Sequence, residues 1–495
     1  MSYFLGIDQG TTLTTAVVTD GEFRILAKAS RPHATFYPKP GWVEQDPEEL
    51  YANCLAAVQE VCEKAGIRPS DLEAMGLDHQ GESCLVWEKE SGRPIYPMII
   101  WQDRRTARDA DRLNEERGDE ILRVSGMRPD AYYSATKLKW ILDHVDGARE
   151  RMAKGELELG TFNTWFYERL SGGTCYLTEP SSACCMMLMD LKKTEWDPAL
   201  ISLIGVEIKN MPRIADSGEI MGETDPDCFF GARVKLAGFL TDNPASLLGG
   251  GCAGKGVLKT SYGTGSFMLF QTGEEAAFSD TLTGDCMWRL GGKPWYALRG
   301  ACYTAGAAIE WLRRGVGLIE KPQDTEALCR LVKDSGDVFF VPAFVGLAAP
   351  FWDQYARGLF IGITGGTTRE HIVRAVVDAL TYQVAECYRT MVRDSGVACR
   401  VMRADGGMSE NSFIMQQQAD MLGVPVEVPA EKETAAFGSA CLAGISCGIL
   451  SGPEEVRNLV RVARVYEPMI PEAEREERLA RWLAAVERSR GWAKE

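Results

Sequence analysis

The stretch YFLGIDQGTTLTTAVVT, residues 3–19, poses the first question about the architecture. An apolar run ends at Asp8, a Gly10-Thr11-Thr12 corner follows, and a second alternating run begins. That order predicts a strand, a tight turn and a second strand. Corner N–H groups and threonine hydroxyls suit an anion, whereas a carboxylate at Asp8 repels one. Both fit together if a hard divalent cation lies between Asp8 and a polyphosphate, because Mg²⁺ takes oxygen ligands. The pattern returns in KTSYGTGSFMLFQTG, residues 259–273, with Thr264 in a Gly-Thr-Gly corner. Two hairpins placed equivalently in the two halves can grip one polyphosphate from opposite sides. Two similar α/β lobes explain this arrangement, although identity between the halves is too low to prove a duplication.

Around the hairpins the chain alternates strand-like runs with helices. Asp46-Pro47 offers an N-cap and a first helical residue for a helix running to about Lys64. Residues 103–172 read as mainly helical. The run LLGGGCAGKG near residue 250 reads as a hinge between a first lobe, 1–250, and a second, 251–495. A long amphipathic helix is expected from about Arg369 to Arg393, and a charged helix over 471–495. In VMRADGGMSENSFIMQQQADMLGVPVEV, residues 401–428, a strand ends at Asp405 and a helix starts near Ser409 or Glu410. Gly406 and Gly407 lack a Cβ, so a flat ring can approach the backbone there, and the helix start offers free donors. A glycine turn with a capped helix explains the same residues without any ligand.

Composition narrows the function classes. A chain of 495 residues is long for one domain, and 45% apolar content supports sizeable cores. The net charge of −16 and pI near 5.0 argue against nucleic acid or an anionic membrane as partner. No run approaches the roughly 20 apolar residues of a membrane helix, and MSYFLGID carries no leader-like pattern, so a cytoplasmic protein is expected. The 15 cysteines include no Cys-x-x-Cys pair and read as reduced, mostly buried thiols, the adjacent Cys184 and Cys185 among them. His33, His79, His144 and His371 form no metal-ligand motif.

Beyond the two hairpins, the segments PGWVEQDP, IIWQDRRT, YYSATKLKWILDH, FVPAFVGLAAPFWD and ARGLFIGITGGTTREHIVRAVVDAL accompany GIDQGTT, SYGTGSFML and the 401–428 stretch in one order. In these the chain resembles the FGGY carbohydrate kinases, the glycerol kinase branch most closely, over nearly its whole length. The resemblance implies two ribonuclease H-like lobes of the actin and hexokinase type around a nucleotide cleft. It also implies ATP and Mg²⁺ as cofactors, transfer of the γ-phosphoryl group to a hydroxyl of a small polyol or sugar, and a homo-oligomer. Carried over by motif, Asp8 lies near the metal, and Thr11, Thr12, Thr264, Gly306, Glu310, Gly407 and Asn411 line the nucleotide. Gly81, Glu82, Trp101, Tyr132, Asn243 and Phe267 fall on the acceptor pocket, and Asp242, in GFLTDNPASLLGG, matches the catalytic base. Without the resemblance, an acid before a small-residue helix reads simply as an N-cap.

The chain also departs from that branch. Glycerol kinases usually carry Asn-Gln-Arg-Glu-Thr where residues 79–83 read HQGES, so Gly81 stands where an arginine hydrogen-bonds the polyol. A missing guanidinium predicts a vacancy several ångströms deep, room for a longer or substituted polyol whose extra polar atoms His79 or Ser83 would meet. Drift compensated nearby, with glycerol still the acceptor, is the alternative. Asp242-Asn243 resembles the xylulose kinases instead, which keeps a ketose kinase open, and Thr15 replaces the first hairpin's usual arginine. A non-catalytic ATP-binding switch of the same superfold is the rival from another class. Retention of Asp242, Glu82, Tyr132 and Trp101 argues against it, because a switch needs no polyol pocket.

Overall fold

In the computed structural model, which describes residues 2–493, the opening stretch is a hairpin of β1 (Tyr3–Gln9) and β2 (Leu13–Thr19). Gly10 N–H donates to the Leu13 carbonyl at 2.9 Å and closes the corner, and Asp8 faces Thr15 across the pair. With β3 (Ile25–Pro32), β4 (Leu72–His79), β5 (Gly222–Glu223) and β6 (Lys235–Thr241), the hairpin builds a six-stranded sheet in the order β5-β6-β4-β1-β2-β3. Strands β1, β4 and β6 are parallel, so their carboxyl ends meet at one edge. There Asp8 pairs with Asp78, while His79 lies between Gln9 and Thr241. β4 is buried almost throughout, as a parallel strand covered on both faces must be.

The second hairpin, β7 (Val257–Tyr262) and β8 (Ser266–Gly273), starts a seven-stranded sheet with β9 (Thr283–Leu290), β10 (Lys293–Cys302), β11 (Val401–Asp405), β12 (Val426–Pro429) and β13 (Val462–Tyr466). Its order is β9-β10-β8-β7-β11-β12-β13, with β7, β11 and β12 parallel. Antiparallel strands leading into parallel ones recur in both sheets. The common topology is visible where sequence identity is not.

The first helix, α1 (Pro47–Ala65), begins as expected: the Asp46 carboxylate accepts from Glu48 N–H. Helix α2 (Asp242–Gly249) has Thr241 as its N-cap, so Asp242 is its first residue rather than the cap. The long helix, α3 (Arg369–Ser395), ends where Gly396 adopts φ +65°. The terminal helix, Glu472–Ser489, packs Trp482 with no exposure against the second lobe. The reading of residues 103–172 as mainly helical misses one strand, Leu157–Thr161, which pairs with Cys84–Glu88. Five residues carry too weak a period to show it.

The glycine crossing read as a hinge is held by hydrogen bonds from the second lobe. Gly251, Gly254 and Gly256 adopt positive φ, and the buried Arg403 guanidinium donates to the Gly250 and Gly251 carbonyls at 2.7 and 2.6 Å. Helix α4 (Thr434–Ser446), late in the chain, crosses back onto the first sheet. A Cβ at Gly6 or Gly76 would overlap the Ala436 or Ser439 carbonyl, so glycine allows helix and strand backbones to touch. Gly76→Ala should therefore cost about 3 kcal/mol of stability, read as a lowered urea midpoint. A midpoint unchanged from the native protein would show that the contact can relax.

Candidate functional site

Three acids meet where β1, β4 and α2 converge. Burial first, then repulsion from Asp242 and Glu433, pushes Asp8 up to about 7. Burial and the Asp8 charge hold Asp78 well above the usual carboxylate range. Asp78 Oδ2 accepts from Ser439 at 2.7 Å, while Oδ1 has no hydrogen-bond donor among the described residues. Such a pair retains a proton or takes a cation in its place. No group of three or more His, Cys, Asp or Glu side chains closes around one point among the described residues. The site thus suits an ion such as Mg²⁺, which takes one or two carboxylates and fills its shell with phosphate oxygens and water.

Asp242 is raised to about 6 by burial and then by the Glu82 charge, while the Asn243 N–H, Arg299 and Lys259 pull the other way. Both Asn243 donors bond Asp242 Oδ1, the N–H at 2.7 Å and Nδ2 at 3.1 Å. The turn into α2 is held from behind by buried Glu179. Its carboxylate accepts from Ser181 N and Oγ, Ser182 N and Oγ, and Ser217 Oγ at 2.6–2.9 Å. Ser181 Oγ in turn accepts from Thr241 N at 3.0 Å. From the second lobe, Lys259 donates to Ser246 on α2 at 2.7 Å and pairs with Asp405 at 3.2 Å.

Beside Asp242 lies a narrow polar cavity, about 10 Å³, lined by Glu82, Cys185, Thr241, Asn243, Asp285 and Arg299 among others. Glu82 sits at φ +55°, a conformation that costs a non-glycine residue of order 1–3 kcal/mol. Ser134 Oγ and buried Lys137 Nζ hold it there by donating to its carbonyl at 3.0 and 2.9 Å. Trp101 donates Nε1 to Thr11 Oγ1 at 2.8 Å and meets the Tyr132 ring edge-on at 6.0 Å. One chain of contacts therefore runs from the first hairpin through Trp101 and Tyr132 to Arg299 and Glu82.

The vacancy expected at Gly81 is absent. A Cβ there would already lie 3.1 Å from Cys185 Sγ and 3.5 Å from Thr241 Cγ2, and the cavity is too small to match a lost guanidinium. His79 and Ser83 are not free to meet extra substrate atoms. His79 bonds the Gln80 carbonyl and Ser182 Oγ, burial pushes its imidazole down to about 4, and Ser83 donates to Gln80 Oε1. Thr15, in the place of an arginine, bonds Ser30 at 3.1 Å. Cys184 and Cys185 are separate buried thiols, both pushed well up by burial.

The nucleotide-side candidates divide. Thr12 is exposed at the first corner, and Thr264 tops the second. Gly306 N–H donates to the Gly263 carbonyl at 3.0 Å, and a Cβ on Gly306 would crowd that oxygen at 2.6 Å. Gly406 has φ +86° and packs on the Tyr262 backbone, whereas Gly407 faces open space. Asn411 Oδ1 caps the helix Ser412–Leu422 by accepting from Phe413 and Ile414 N–H, and Nδ2 donates to Thr325 Oγ1. Glu310 pairs with Arg313 and Arg314 on the surface. Phe267, 43% exposed on β8, makes no hydrogen bond or ring contact to the acids.

The sequence matches the N-terminal domain of the FGGY family of carbohydrate kinases over residues 3–249 and its C-terminal domain over 258–447. The chain belongs to the FGGY family of carbohydrate kinases. It is 44% identical over 496 aligned residues to "Glycerol kinase 2" of Thermotoga maritima, covering 100% of both chains. Among solved structures it resembles Plasmodium falciparum glycerol kinase with ADP at 29% identity and TM-score 0.94, covering 99% of this chain and 98% of that one. A xylulose kinase from Rhodospirillum rubrum, 24% identical with TM-score 0.87 over 98% of each chain, shares the fold. The two-lobed ribonuclease H-like architecture is that of the FGGY kinases.

In this FGGY kinase the residues that the motif reading missed are Arg299, Asp285, Lys259 and Glu179. Each is a charged side chain inside an otherwise strand- or turn-like run, and each has at least one partner distant in sequence. YALRGAC alone gives no sign that its arginine reaches a loop 217 residues earlier.

Proposed function

We propose that this FGGY kinase transfers the γ-phosphoryl group of ATP to a hydroxyl of a small neutral polyol, glycerol foremost. The observation that carries this reading is Asp242 at the head of α2, beside Glu82 in one cavity and within electrostatic reach of Asp8. Asp242 accepts the proton of the attacking hydroxyl, and Glu82, Trp101 and Tyr132 orient the polyol. Thr11, Thr12 and Thr264 approach the phosphates from the two lobes, and Gly407 leaves room beside the nucleotide. Asp8, with Asp78 behind it, holds Mg²⁺. When bound, that ion would neutralise charge developing on the transferred phosphoryl group. The full-length likeness to proteins named glycerol kinase favours glycerol over a pentulose.

Measuring ADP release with glycerol, erythritol, pentitols and pentuloses tests the assignment. Faster turnover of a pentulose than of glycerol would move the chain to the ketose branch. A base raised to about 6 must lose its proton to work. Acceptor kcat/KM at saturating Mg²⁺–ATP should therefore be flat above pH 7 and fall about tenfold per unit well below pH 6. A profile flat down to pH 5 would remove Asp242 from that role.

A further inference from the structure

Among the described residues, Arg299 is the one cation hydrogen-bonded or ion-paired to the carboxylates of the cavity beside Asp242. It rises from β10, on the second lobe's sheet, and its side chain is 11% exposed. Its Nε pairs with Asp285 Oδ2 at 2.7 Å, and Nη1 donates to Glu82 Oε1 at 3.0 Å and to Tyr132 Oη at 3.3 Å. Asp285 is on the neighbouring strand β9, two residues from Thr283, which faces Arg299 in the register, so both side chains share one face of the sheet. The guanidinium carries five N–H donors in a rigid fork. Glu82, Tyr132 and Asp285 use those on Nε and Nη1, while Nη2 makes no hydrogen bond among the described residues. Arg299 and Asp242 line the same cavity.

We propose that Arg299 is an acceptor-binding, specificity-determining residue that supplies from the second lobe the guanidinium missing at Gly81. Its Nη2 donates to a hydroxyl of the polyol, while Glu82 accepts from the neighbouring hydroxyl. The inference rests on the kinase reading above and adds the residue that selects the acceptor. Glu82, Asp242 and Asp285 outnumber the one guanidinium, so the cavity favours an uncharged vicinal diol and repels sugar acids. Acceptor binding then draws on both lobes at once.

The test is steady-state kinetics on the full chain with glycerol and with glycerate as the matched acid, alongside ADP titration calorimetry. Arg299→Lys keeps a charge for Glu82 and Asp285 but loses the fork. It should raise glycerol KM about 10- to 100-fold, the loss of one charge-assisted hydrogen bond, with kcat and ADP affinity little changed. Gly81→Arg alone places a second guanidinium where Cys185 and Arg299 leave no room, and should lower kcat/KM at least about tenfold; adding Arg299→Gln, which removes one charge and frees space, should restore part of that loss. Arg299→Lys with a native glycerol KM overturns the inference, as does glycerate turned over as well as glycerol. A native chain that phosphorylates no alcohol instead overturns the kinase reading, and this inference with it, before any variant is made.

Discussion

Asp242→Asn lowers kcat by about 10²–10⁴-fold, the usual contribution of a positioned base, and leaves ADP affinity unchanged. Asparagine preserves the shape of the side chain at the head of α2 and can still be approached by the two Asn243 donors. Only the ability to take a proton is lost. The fold should not suffer. Burial and the Glu82 charge raise the Asp242 carboxyl to about 6 in the folded protein, against an ordinary value of 3.8. The folded state therefore binds that proton more tightly than the unfolded chain does. Stability falls as pH rises from about 4 to 6 and stays lowered above. Replacing the acid by a neutral amide removes that penalty, so the melting temperature at pH 7.5 should hold or rise. Lost turnover together with a lowered melting temperature would point to damaged packing; retained turnover would end the assignment of the base.

Asp8→Asn is the second large effect, with kcat lowered at least about 10²-fold because the ion supplies several kcal/mol of charge stabilisation. Excess Mg²⁺ should recover part of the loss, since Asp78 remains beside the site. The stability change again has a definite sign. Asp8 is raised to about 7 by burial first, so its ionisation weakens the fold progressively between about pH 4 and 7. The metal-free variant should be the more stable protein above pH 7, by thermal melting in a chelator. Native-like Mg²⁺ dependence in Asp8→Asn would place the ion elsewhere.

These two substitutions separate the proton from the metal. Loss at Asp242 follows the acceptor's chemistry and is insensitive to Mg²⁺ concentration, whereas loss at Asp8 responds to it. The Glu179 cluster explains how one short helix keeps Asp242 in place: five donors on a single buried carboxylate leave the Thr241 turn little freedom.

What the amino-acid sequence determined alone is local. Gly-Thr corners between alternating apolar runs made the two hairpins legible, because a tight turn and its strands are specified within a few residues. Asp46-Pro47 announced α1 in the same way, and the motif order identified the family with Asp8, Glu82 and Asp242 in it. Tertiary structure alone decided the rest. Asp8 meets Asp78 only because β1 and β4 run parallel, and Gly76 matters only because α4 returns to touch it. The hole inferred at Gly81 closes because Cys185 and Thr241 approach, and the missing positive charge arrives on Arg299 from the other sheet. Turn chemistry acts over neighbouring residues and can be read in order, whereas burial and charge pairing depend on which distant side chains the fold brings within a few ångströms.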